Sequence, residues 1–183
     1  HVFLNDGTGG FLEDRESAAG EQPRVAALGD IDRDGKLDVV LGMSPDVIAV
    51  LVGHGTGFFA EPILTYAGDN THAMALDDFD GDLLLDVAAA HTFSLSFFRG
   101  KGDGFLDPPV ETSFGDVQAD PHGIASGDLD GDELPEIAGF SIEDDGENPR
   151  LFILWNQGQG VFAREFPVEL SGATFAAPSV TDV

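Results

Sequence analysis

The chain has 183 residues and a mass of 19.3 kDa, room for one domain or part of one, and its 42% apolar content excludes a disordered polymer. Its 34 acidic residues against 8 basic ones leave a formal charge of −26, which excludes nucleic acid and anionic membrane surfaces as partners because nothing could neutralise their phosphates. There is no Cys and no apolar run near the ~20 residues of a membrane span, which excludes disulfides, thiolate metal sites, Cys nucleophiles and membrane insertion through a helix.

The chain opens with an apolar run, residues 2–4, that enters the Gly-rich stretch Asn5-Asp6-Gly7-Thr8-Gly9-Gly10-Phe11. An apolar run, a Gly turn and a closing aromatic read as a β-hairpin. The pairing returns at residues 47–52 with Gly53-His54-Gly55-Thr56-Gly57-Phe58-Phe59, and at 95–98 with Gly100-Lys101-Gly102-Asp103-Gly104-Phe105. It returns again at 151–155 with Asn156-Gln157-Gly158-Gln159-Gly160-Val161-Phe162. A second element recurs out of phase with the first. Asp30-Ile31-Asp32-Arg33-Asp34-Gly35-Lys36-Leu37-Asp38 is repeated at Asp78-Phe79-Asp80-Gly81-Asp82-Leu83-Leu84-Leu85-Asp86 and at Asp128-Leu129-Asp130-Gly131-Asp132-Glu133-Leu134-Pro135-Glu136.

Each period of about 50 residues thus holds four strand-like pieces. They are 25–28, 37–41, 47–52 and 63–66, then 73–76, 85–90, 95–99 and 110–114, then 123–126, 136–140, 151–155 and 166–170. Linkers 18–23, 67–70, 115–121 and 171–174 are rich in Gly and polar residues. No window shows sustained helical periodicity. Four short strands per repeat predict an all-β fold, a β-propeller with blades of four antiparallel strands. The expected organisation is a single partial propeller, three complete blades plus partial blades at both ends. Residues 1–17 form the second half of a blade, 24–66, 72–114 and 122–170 form complete ones, and 174–183 begin a further one. Three blades leave sheet faces and edges bare. The remainder of a longer propeller is expected to cover them; a fourth blade combining the two end pieces, or assembly of copies, are the other solutions.

The acidic loops carry the chemistry. Alternating carboxylates at positions 1, 3 and 5, a backbone carbonyl at 7 and a carboxylate at 9 make an oxygen cage for a hard divalent cation, Ca²⁺ before Mg²⁺. The candidate ligands are Asp30, Asp32, Asp34, Lys36 (through its carbonyl) and Asp38; Asp78, Asp80, Asp82, Leu84 (carbonyl) and Asp86; and Asp128, Asp130, Asp132, Leu134 (carbonyl) and Glu136. About three Ca²⁺ sites follow. With no nitrogen or sulfur ligands, Zn²⁺ and Cu²⁺ fit poorly. The bluntest alternative is that these Asp residues only make turn hydrogen bonds. An EF-hand is excluded, because its twelfth position needs Glu and here holds Leu41, Ala89 or Gly139. Gly35 occupies position 6 of loop one, where a turn needs positive φ, whereas Leu83 and Glu133 occupy it in the others. Loop one is therefore expected to be the best formed, and loop three, ending in Pro135 and Glu136, to bind differently.

The pairing of the Asp30–Asp38 type of loop with the Asn5–Phe11 type of turn resembles the FG-GAP/VCBS repeat family, the calcium-loop blades of integrin α-subunit propellers. The resemblance spans essentially the whole chain and implies a propeller with Ca²⁺ between the first and second strand of each blade. The expected function is a non-enzymatic, calcium-binding module of a secreted or cell-surface protein, engaged in protein–protein interaction, adhesion or self-assembly. The alternative is a carbohydrate-binding propeller that takes a glycan, although one Trp (Trp155) and one Tyr (Tyr66) are few stacking platforms. An enzyme centred on His72 and His122, each six residues before an acidic loop, is a third reading; no nucleophile elbow or phosphate loop supports it. His54 and His91 are expected at the solvent, as is the acidic insertion 143–149. The strong negative charge and the availability of millimolar Ca²⁺ outside cells point to an extracellular setting.

Overall fold

The computed structural model describes residues 1–113, 121–142 and 149–169, among which there are strands and turns but no helix. β1 (Val2–Asn5) and β2 (Phe11–Arg15) form a two-stranded sheet. The first complete blade is β3 (Pro23–Gly29), β4 (Asp38–Met43), β5 (Val47–Leu51) and β6 (Ile63–Tyr66). The second is β7 (Ala73–Asp77), β8 (Asp86–Ala90), β9 (Ser94–Phe98) and β10 (Val110–Ser113). The third is β11 (Pro121–Gly127), β12 (Glu136–Ile142), β13 (Pro149–Asn156) and β14 (Phe162–Glu169). Every neighbouring pair is antiparallel and the strands keep sequence order within each sheet. This is the all-β, four-stranded blade architecture of a propeller, with a half blade ahead of the three complete ones.

Up-and-down connectivity sorts the loops between two ends. The acidic loops and Gly turns share one end; the second-to-third-strand hairpins and the links between blades share the other. The first strands sit side by side, with β7 packed against β3 on one flank and β11 on the other.

Burial explains the strand composition. All five residues of β8 (DVAAA) and of β9 (SLSFF) are buried, because blades cover both faces of the middle sheet. Val40, Ile48 and Val50 of the first blade pack on Met74, Val87, Ala89 and Phe98 of the second. Ala88, Leu95 and Phe97 on its far side meet Ile137, Phe152, Leu154 and Phe162 of the third. The small side chains at Ala88, Ala89 and Ala90 let the sheets approach. The second residue of the first two acidic loops reaches into the next blade: Ile31 joins the first interface, and Phe79 packs edge-on to Phe97 at 6.3 Å and Phe162 at 5.8 Å.

Most expected strands differ from the observed ones by one or two residues at an end. The fourth strand of the third blade is the exception. It begins at Phe162, four residues before the expected 166. In the first two blades the Gly turn closes with one isolated bridge, Gly53 to Phe59 or Gly100 to Leu106, and the outer strand resumes only at Ile63 or Val110. Pro62 and Pro108-Pro109 stand directly before those strands and cannot donate to the ladder. The third blade has no Pro there, so pairing runs on from Asn156–Phe162, with a register shift opposite Leu151–Ile153 where Pro167 lies. The interior of linkers 115–121 and 171–174, the insertion apart from Pro149, and the start of a further blade at 174–183 lie outside the described residues.

Candidate metal centre

Each acidic loop joins the first and second strands of its blade, and all three adopt one backbone. Two residues in each take the left-handed conformation, at positions 4 and 6: Arg33 (φ 61°) and Gly35 (82°), Gly81 (78°) and Leu83 (68°), Gly131 (87°) and Glu133 (74°). Loop one places its Gly at the second of these sites and the other two place it at the first. Each loop therefore carries one non-Gly residue at a cost of about 1–2 kcal/mol. The expected advantage of Gly35 is offset by Arg33, and loop one is not better formed than the rest.

Position 1 is the hub of the turn. Asp30 Oδ1 accepts from the Asp34 N–H and its Oδ2 from the Gly35 N–H, both at 3.0 Å. Asp78 accepts from Asp82 (3.0 Å) and Leu83 (2.8 Å), with Gly81 added at 2.8 Å. Asp128 accepts from Gly131 at 2.7 Å and Glu133 at 3.2 Å. At position 3, Asp32, Asp80 and Asp130 each accept one N–H from position 5 through Oδ1. Position 5 turns one oxygen back on its own loop: Asp34, Asp82 and Asp132 accept from the N–H of Lys36, Leu84 and Leu134 at 2.9 Å. The Lys36 ammonium also pairs with Asp34.

Position 9 is the buried anchor. Asp38 and Asp86 are fully buried and Glu136 is 1% exposed. Asp38 Oδ2 accepts from the Ile31 N–H at 2.8 Å and Oδ1 from the Gly53 N–H at 2.7 Å. Asp86 holds Phe79 (3.0 Å) and Gly100 (2.8 Å) in the same way, and Glu136 holds Leu129 (2.8 Å) and Asn156 (3.4 Å). One carboxylate thus ties the acidic loop to the first residue of the Gly turn. The turn residue must be Gly in blades one and two, where a Cβ would land on the carbonyl oxygen of Leu37 or Leu85. Asn156 replaces it in blade three and uses its side chain instead, donating from Nδ2 to the carbonyls of Pro135 (3.1 Å) and Phe79 (2.8 Å). Glu136 reaches the same donors with its longer arm.

The outcome is three matching clusters of carboxylate oxygens. Asp30, Asp32 and Asp38 bring one oxygen each within 4.8 Å of one another, as do Asp78, Asp80 and Asp86, and Asp128, Asp130 and Glu136. The position-5 carboxylates of Asp34, Asp82 and Asp132 lie on the same loops, outside these three-oxygen groupings. Burial, reinforced by Asp38, Asp34 and Asp30, raises the Asp32 carboxyl above its ordinary range. Burial likewise raises Asp80, with Asp82 next in weight, and pushes Asp86 up to about 7. Asp34, exposed and beside Lys36, is lowered. These oxygens are the donor type that suits a hard divalent cation. At Asp80 the buried Oδ2 already faces a positive charge, Arg99 Nη2 at 2.6 Å. Sequence reasoning missed Arg99; its counterparts in the other blades are Val52 and Trp155, so the repeat itself offered no signal.

His72 lies at the opposite end of its blade, its Nε2 3.2 Å from Thr92 Oγ1, and the His122 ring sits tilted at 58° to Phe140 with centroids 6.2 Å apart. His54 is exposed as expected, but His91 is 1% exposed and not at the solvent. Its Nδ1 faces the carbonyl of Asn70 at 3.1 Å and therefore carries the proton, while Nε2 accepts from Ser96 Oγ at 2.9 Å. Burial lowers its pKa, so it is neutral at pH 7. It is a strut between the inter-blade link and β9.

A family model described as FG-GAP-like repeat matches residues 30–89 and 78–139, two overlapping copies that together cover more than half of the chain. The chain belongs to this family. No curated protein matches it. Among solved structures it is similar to a chain of the Tc holotoxin pore of Photorhabdus luminescens, at 19% identity and a TM-score of 0.56, over 91% of this chain and 8% of that one. That likeness concerns the fold, and the chain spans under a tenth of the toxin chain's length.

Proposed function

We propose that this FG-GAP-like repeat chain is a non-catalytic, calcium-stabilised propeller module of a secreted or cell-surface protein, and that it binds a protein partner through loops at one end. The observation that carries the reading is the threefold recurrence of one carboxylate cluster. Backbone hydrogen bonds hold each of these carboxylates singly; they do not balance the charge of three of them, at positions 1, 3 and 9, whose oxygens lie within 4.8 Å of one another. Like charges held so closely in a half-buried site cost several kcal/mol unless protons or a cation balance them. Calcium chemistry supplies that balance, with Asp30, Asp32 and Asp38, and their counterparts in the other loops, as the carboxylates that hold the ion. Millimolar Ca²⁺ outside cells suits sites of modest affinity, which favours an extracellular setting.

The test is thermal unfolding with millimolar CaCl2 and with excess chelator. Each site held at about 100 times its Kd contributes ~2.7 kcal/mol. Calcium is expected to raise the melting temperature by several degrees while Mg²⁺ at equal concentration does less. Coincident melting curves in calcium and chelator overturn the reading.

A further inference from the structure

We infer that His91 is an acid-sensing joint between the first and second blades, built so that one proton taken from solvent turns its Nε2 from acceptor to donor and passes the Ser96 hydroxyl hydrogen from the imidazole to the carbonyl of Ala67. The joint stands at the end of the interface away from the acidic loops, and none of its groups belongs to them. The link from β6 to β7, residues 67–72, crosses the interface there and is tied on both sides. Toward blade one, the Ala67 N–H donates to the carbonyl of Asp46 at 2.7 Å, and Asn70 Oδ1 accepts from Ser44 Oγ at 3.0 Å. Toward blade two, the Asn70 carbonyl accepts from His91 Nδ1 at 3.1 Å, and the His72 N–H donates to the carbonyl of Ala90 at 2.9 Å. Ala67, His91 and Ser96 are only 1–2% exposed.

The device is a hydroxyl with one hydrogen and two acceptors. Ser96 Oγ lies 2.9 Å from His91 Nε2 and 3.4 Å from the Ala67 carbonyl oxygen. With the Nδ1 proton held by Asn70, the neutral ring can only accept at Nε2, so Ser96 donates to it. Once Nε2 carries a proton, the ring donates to Ser96 Oγ and the Ser96 hydrogen turns to Ala67. Neither state orphans a ring nitrogen or the hydroxyl, so a charge can enter this buried site without breaking its hydrogen bonds. What opposes the proton is burial, the largest influence, which lowers the His91 pKa; the Asn70 carbonyl, Asp69 and Glu111 act to raise it, and His72 to lower it. Asp69 and His72 face the ring from the link, and Glu111 from β10, where it pairs directly with Ser96; β9 carries no titratable group. The pH dependence has the sign of a buried base. With a folded pKa below the ordinary 6.5, the unfolded chain takes up its proton first. The stability this group contributes is complete above about pH 6.5 and is lost as pH falls through the folded value, the reverse of Asp86. Acid therefore weakens the hold between blades one and two.

Proton NMR follows the imidazole C2–H of His91 directly in the full chain, its resonance identified by its loss in His91→Gln. The expected result is a titration below pH 6.5 while the chain is still folded. Ser96→Ala should lower that pKa further, by about half a unit or more, because the hydroxyl's bond to the charged ring is charge-assisted and stronger than its bond to the neutral one. A raised or unchanged pKa in Ser96→Ala means that the hydroxyl only donates, and overturns the inference, as does a His91 that stays neutral until the chain unfolds. Glu111→Gln, at an exposed position that leaves the core intact, should shift the pKa in the same direction, and no shift counts against the joint. Melting at pH 7.5 and 5 is the second readout: the wild type should lose about 3 °C or more beyond what His91→Gln loses, and equal losses contradict the proposal. Both proteins keep Asp86 and the acidic loops, so their titration cancels, and chelator throughout keeps the outcome separate from the calcium reading.

Discussion

The ninth-position carboxylates do two jobs at once, and their titration exposes both. Asp38, Asp86 and Glu136 fix the backbone of loop and turn through paired N–H donors, and they also face the other carboxylates of the cluster. In Asp86→Asn one acceptor becomes a donor pointed at an N–H. The variant should lose about 1–3 kcal/mol in urea unfolding and one cation in titration calorimetry. The pH dependence has a definite sign. With Asp86 raised to about 7 in the folded chain and ordinary when unfolded, the cation-free protein keeps a proton that the unfolded chain has released. Its stability is therefore greatest near pH 4 as far as this group is concerned, and falls as pH rises toward 7, at up to ~1.4 kcal/mol per pH unit. If calcium binds as proposed, it should remove that fall by taking the proton's place. Melting curves in chelator at pH 5 and 7.5 check it, and Asp86→Asn should flatten the difference. Arg99 bears on the same loop. Its guanidinium competes for Asp80, so Arg99→Val should tighten cation binding in loop two by about threefold to tenfold in calorimetry, with loops one and three unchanged.

At the level of elements, the Gly turn and the acidic loop behave as one unit, joined by the ninth-position carboxylate. Gly53→Ala forces a Cβ onto the Leu37 carbonyl and should lower the melting temperature by about 5 °C or more, a cost of ~2 kcal/mol. The same change at Gly7, where a Cβ meets nothing within 4 Å but φ is +81°, should cost only the ~1–2 kcal/mol of the left-handed backbone. Much of this level was legible from sequence, because apolar runs, Gly turns and acidic loops recur three times and each copy checks the others. The strand from Ile63 to Tyr66 has the same bounds in sequence and structure. What sequence did not reveal depends on contacts across blades or on exchanges within a repeat. The left-handed burden of loop one moved to Arg33, Asn156 took over a glycine's place with its side chain, and the absence of Pro between Gln157 and Phe166 let β14 start at Phe162. His91 read as a solvated strand end because the Asn70 carbonyl that buries it lies in another part of the chain.

Across the whole molecule, stability comes from two sources that meet at the blade corners. Apolar interfaces join the sheets, from Ile31 in the second blade to Phe79 in the third, and the acidic loops stand where those residues leave their own blade. A cation held by Asp30, Asp32 and Asp38, as proposed, would fix the segment that delivers Ile31 across the first interface, so cation binding and blade packing should be coupled. Ile31→Ala should both lower the melting temperature and weaken calcium binding in loop one, whereas Val47→Ala, near the far end of β5, should leave calcium binding unchanged in calorimetry. The most direct measurement counts ions: the chain is equilibrated with millimolar calcium, separated from free ion by rapid desalting, and its metal is quantified by atomic emission, alongside a variant carrying Asp32→Asn, Asp80→Asn and Asp130→Asn. Close to three calcium ions per chain, falling toward none in the variant, is the result this account predicts; fewer than one per wild-type chain, or the same content in both proteins, contradicts it.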